Sequence, residues 1–86
     1  MMKAIEIYTT PLCGYCHAAK RLLTQKGAAF TEIDVSRDPD LRAAMTKRAN
    51  GGRSVPQIFI GGSHVGGCDD LYALEQKGGL DPMLAG

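Results

Sequence analysis

No apolar run in this sequence approaches the roughly 20 residues that a membrane-spanning helix needs. Charge of one sign is missing too. Ten Lys and Arg against nine Asp and Glu leave a formal net charge of +1, which gives no pull toward nucleic acid or an anionic membrane. The opening residues Met1-Met2-Lys3-Ala4-Ile5-Glu6 hold no apolar stretch like that of a secretory signal, because Glu6 interrupts it. Cysteine is sparse and odd in number (Cys13, Cys16 and Cys68), which argues against a disulfide-stapled secreted scaffold. In a reducing compartment cysteines serve as buried filler, metal ligands or redox groups, so the expected location is the cytoplasm. Repeats, linkers and low-complexity tracts are absent as well, and residues 1–86 are read as one domain around one compact core.

What is present is ordinary globular material, 44% hydrophobic and 22% charged. Alternating, β-branched Lys3–Tyr8 predicts a strand. Apolar Tyr15, Ala18, Ala19, Leu22 and Leu23 fall on one face of a helix running to Lys26 and stopped by Gly27. Phe30–Val35 alternates again as a second strand. Asp38-Pro39 reads as an N-cap with proline at the first helical position, and Leu41, Ala44, Met45 and Ala49 continue a helix that Asn50-Gly51-Gly52 closes. Val55–Ile60 and Ser63–Val65 flank Gly61-Gly62, a loop suited to a hairpin. A third helix follows Gly66-Gly67-Cys68-Asp69-Asp70, with Leu71 and Leu74 inward, and Asp81-Pro82 starts a last short turn. The order β-α-β-α-β-β-α predicts an α/β fold with a four-stranded mixed sheet and helices on both faces.

Cys13-Gly14-Tyr15-Cys16 lies where the first strand meets the first helix. A cysteine at a helix N-terminus faces unpaired backbone N–H groups and the positive end of the helix dipole, which favour thiolate over thiol. Cys16, one turn later on the same face, is within reach for a disulfide. Cys13 is therefore the expected nucleophile and Cys16 the resolving thiol. Zinc is the competing use, but a closed site takes four ligands. Cys68, His17 and His64 would have to complete it without a second Cys-x-x-Cys.

Together with Ser54-Val55-Pro56 and Gly66-Gly67-Cys68-Asp69-Asp70, this motif makes the chain resemble the glutaredoxin family, in its bacterial dithiol form, over nearly its full length. The resemblance implies a thioredoxin-like fold and a glutathione-dependent oxidoreductase that reduces protein disulfides and glutathione mixed disulfides as a monomer. It implies a cis peptide before Pro56, with the Val55 backbone free to pair with the extended peptide glutathione. The N–H groups of Cys68 and Asp69 would take the γ-glutamyl carboxylate, and the Asp69 side chain its ammonium. Asp69 or Asp70 could instead simply cap the helix. Tyr15 would flank the active thiol and pack on the substrate, with Cys68 a small packing residue.

Many members place a lysine three residues before the first catalytic cysteine; this chain has Thr10 there. Arg42 matches a family position that contacts the glycine carboxylate, and Arg53 is a second candidate. Gln57 either adds a hydrogen bond or faces water. Gly14 stands where the commonest dithiol motif has proline, so a reduction potential does not carry over. Two other readings compete: a thioredoxin-like reductase that does not use glutathione, and a dimer bridged by a [2Fe–2S] cluster through Cys13.

Overall fold

The structure, a computed structural model, describes residues 2–86. Its elements are β1 (Ile5–Thr9), α1 (Gly14–Gln25), β2 (Thr31–Asp34), α2 (Pro39–Arg48), β3 (Gln57–Ile60), β4 (Ser63–Gly66), α3 (Cys68–Gln76) and α4 (Leu80–Leu84). The strands form one sheet in the order β2-β1-β3-β4, with β1 parallel to β2 and antiparallel to β3, and β3 antiparallel to β4. The mixed sheet follows from the connections: α1 returns the chain to start a parallel strand, while Gly61-Gly62 reverses it directly.

Strand alternation splits the core in two. Ile5, Ile7, Ile58 and Ile60 point to one face, where Ala19, Leu22 and Leu23 of α1, Leu71 of α3, and Leu80 and Leu84 of α4 cover them. Tyr8 and Phe59 point to the other, against Val35, Met45 of α2 and Ala49 at its C-cap. Tyr8 and Phe59 meet edge to face at 5.7 Å between ring centroids. Among the described residues no helix is long and apolar enough to cross a membrane.

Some expected positions move. The first strand begins at Ile5 rather than Lys3, because the Lys3 N–H donates to the Leu84 carbonyl at 2.9 Å, outside the sheet. The last turn is a short helix that buries Leu80 and Leu84. On α2, Leu41 and Ala44 are exposed, and only Met45 and Ala49 go inward. With so little burial, α2 leans on its start: Asp38 Oδ1 accepts the N–H groups of Asp40 and Leu41 at 3.0 and 3.1 Å, and Pro39 supplies a preset φ. Tyr15 is 68% exposed rather than part of the apolar face of α1; Cys16, wholly buried, takes that place.

Between β3 and β4 the register shifts. Ile58 pairs with Gly66 and Phe59 with His64, which leaves Val65 without a strand partner. His64 lies on the turn side of that shift, where the Gly61-Gly62 turn sets the register and places its ring opposite Phe59, with centroids 4.9 Å apart.

Candidate active site

The first strand ends at Thr9, and the loop that follows delivers Cys13 to the N-cap of α1 in extended conformation. Its Sγ accepts the Cys16 N–H at 3.0 Å, the bond a Ser or Asp cap makes with oxygen. The same thiol donates to the Val55 carbonyl at 3.6 Å. Negative charge on Cys13 would thus meet a backbone donor and the positive end of α1.

Cys16 is the opposite case. Its side chain has no solvent exposure. Burial, with the hydrogen bond to Cys13 next, pushes its thiol up from the ordinary 9.0 to about 12. At neutral pH it is a neutral thiol. Cys68, also buried, is raised as well, by burial first and then by the charges of Asp69 and Cys13. All three cysteines are free thiols.

The Val55–Pro56 peptide is cis, as the resemblance implied. Beside it runs an open groove of about 430 Å³ whose lining includes Tyr15, Val55, Pro56, His64, Cys68 and Asp69. At the head of α3, Asp70 Oδ2 accepts the Gly67 N–H at 2.9 Å, while Asp69 stands exposed on the groove wall. Asp70 therefore takes the cap, and of the two acids lining the groove Asp69 is the one whose carboxylate is not used by the helix start. Gly66, at φ 119°, leaves the space that the Asp70 carboxylate fills.

The two arginines sit apart from this groove. Arg42 Nη2 donates to the Arg53 carbonyl at 3.0 Å, and both line a neighbouring depression with Lys47. Gln57 does not face water. It is buried, its Nε2 donating to the Ser54 carbonyl at 3.0 Å and its Oε1 lying 2.7 Å from His64 Nε2. Sequence reasoning considered His64 only as a metal ligand; the Gly61-Gly62 turn, which sets His64 opposite Phe59 and so on the face of Gln57, was the signal that could have found it. His17 Nε2 donates to the Pro11 carbonyl at 3.1 Å. Among the described residues, no three His, Cys, Asp or Glu side chains gather as a metal would need.

A mixed sheet with a helix-capping thiol, a buried partner thiol and a groove beside a cis-proline defines a thiol–disulfide oxidoreductase of the thioredoxin-like class. The family model for glutaredoxin matches residues 5–65. Glutaredoxin 3 of Escherichia coli (strain K12) is 53% identical over 83 residues, 96% of this chain and 99% of that protein. The solution structure of glutaredoxin from Brucella melitensis superposes with a TM-score of 0.85 at 59% identity, over 96% of this chain and 89% of that one. A buckwheat glutaredoxin–glutathione complex gives a TM-score of 0.85 at 37% identity, over 93% and 74%. The chain belongs to the glutaredoxin family. Its activity is that of a glutathione-dependent thiol–disulfide oxidoreductase.

Proposed function

We propose that Cys13 is the nucleophile, Cys16 the resolving thiol, and the groove beside Val55-Pro56 the glutathione site. One observation carries this reading: the two thiols are unequal, one capping a helix at the surface and the other buried and held neutral. The Cys13 thiolate attacks the glutathionyl sulfur of a mixed disulfide, and the S–S electron pair leaves with the protein thiolate. A second glutathione thiolate attacks the same sulfur, releasing oxidised glutathione and restoring Cys13.

With a protein disulfide, Cys13 first forms a mixed disulfide with the target. Cys16 then gives up its proton and attacks Cys13 Sγ, and the target leaves reduced. Once Cys13 is bound to another sulfur it loses its negative charge, and with it both the repulsion of a Cys16 thiolate and the acceptor for the Cys16 thiol hydrogen, two of the causes holding the Cys16 thiol up. Burial remains, so the second attack is enabled only after the first.

Glutathione would lie extended along Val55, with its γ-glutamyl carboxylate on the N–H groups of Cys68 and Asp69 and its ammonium toward the Asp69 carboxylate. Tyr15 flanks its sulfur. Arg42, beside Arg53 in the neighbouring depression, is the cation for the glycine carboxylate. The buckwheat complex supports glutathione as the ligand. The partners are glutathionylated and disulfide-bearing proteins met by a monomer in the cytoplasm, where the reductant pool keeps thiols reduced.

The test uses a glutathionylated peptide and a protein disulfide side by side. Cys13→Ser is expected to abolish both activities, and Cys16→Ser to keep the first and lose the second. Equal loss on the glutathionylated peptide in both variants would defeat the assignment.

A further inference from the structure

Gln57 and Phe59, two residues apart on β3, share the α2 side of the sheet, and His64 from β4 leans across both. The Ser54 carbonyl can only accept, so it fixes the Gln57 amide with Nε2 toward Ser54 and Oε1 toward His64. Oε1 in turn only accepts, so His64 carries its proton on Nε2 and donates it. The amide has little freedom to do otherwise. It is 4% exposed, and a Cβ on Gly52 would come within 2.9 Å of its nitrogen. A continuous line therefore runs from the exposed β4 edge, through a buried amide, to the loop residue just before Val55-Pro56.

We propose that His64 is a positioning residue of the glutathione groove, acting through Gln57 to hold the Ser54–Pro56 segment in its binding conformation. The inference rests on the reading of that groove as the glutathione site. Its imidazole contributes two separable things: a ring that stacks on Phe59, and a donor that locks Gln57. Only the donor reaches the loop.

Two substitutions separate them. His64→Phe keeps a stacking ring and removes the donor. His64→Gln removes the ring and keeps an amide N–H at nearly the same reach. Reduction of a glutathionylated peptide would be followed as glutathione is varied, with melting temperature recorded alongside. His64→Phe should raise the KM for glutathione by about two- to tenfold, the range a lost neutral hydrogen bond gives. Its rate at saturation should stay near that of the unaltered protein, and His64→Gln should restore the KM. His64→Gln performing worse than His64→Phe, or an unchanged KM in both, would overturn the proposal. A protein of unaltered sequence whose rate ignores glutathione concentration would instead remove the groove assignment, and the proposal with it.

Discussion

Burial of Cys16 ties the stability of the reduced protein to pH, and the sign follows from which state holds the proton. In the unfolded chain the thiol ionises near its ordinary 9.0, whereas in the fold it keeps its proton to about 12. Below about 9 both states are protonated, and the neutral buried thiol costs nothing extra. As pH rises through that window, the unfolded chain alone sheds its proton and gains stability, so the folded state loses ground. Urea unfolding of the reduced protein at a series of pH values should show this decline. Cys16→Ser should flatten it in part, since Cys68 titrates with the same sign. Identical slopes in both proteins would mean that Cys16 ionises alike in the two states. Gly14 offers a second single-residue test. A Cβ there meets nothing within 4 Å, the position is the first of α1, and Cys13 before it is extended at φ −111° and ψ 108°, which suits the residue preceding a proline. Gly14→Pro should therefore stabilise by about 0.4–1 kcal/mol through the unfolded chain, visible as a melting temperature a few degrees higher.

Among the helices, α3 shows most clearly how one segment would serve both the fold and the proposed glutathione site. Asp70→Ala removes the acceptor of the Gly67 N–H and should cost about 0.5–2 kcal/mol, the range for a lost N-terminal cap. Asp69→Ala should leave the melting temperature nearly unchanged and weaken the dependence of rate on glutathione. A reversed pattern would exchange their roles. This division was half visible in the sequence: two acids in a row promised a cap and a free carboxylate, but only the geometry says which is which. Element by element, legibility followed local chemistry. Asp38-Pro39 announced α2, and Gly61-Gly62 announced the hairpin, because caps and tight turns are written in neighbouring residues. Leu41 and Ala44 misled, since helical spacing cannot reveal how narrow a strip of sheet α2 has to cover. The Cys13/Cys16 asymmetry was legible from position along a helix. The link between Gln57 and His64 was not, because it is a diagonal side-chain contact across a strand pair that neighbouring residues do not announce.

Taken as a whole, the molecule hangs its reactive end on a sheet whose two faces are each sealed by helices. Its edge strands, β2 and β4, are four residues long, and β2 carries Glu32 and Asp34, so neither edge invites a further strand. The contrast in thiol exposure then acquires a practical meaning. Cys13 is partly open to solvent, whereas Cys16 and Cys68 are 0% and 7% exposed. Brief iodoacetamide treatment of the reduced native protein should add one carbamidomethyl mass, on Cys13, and treatment in urea should add three, one per cysteine. Two adducts under native conditions, with the second on Cys68, would reveal α3 opening while the rest of the fold holds. The enzyme's own cysteines thus form an internal footprinting set that reads out, molecule by molecule on a mass spectrometer, how much of the fold has come apart.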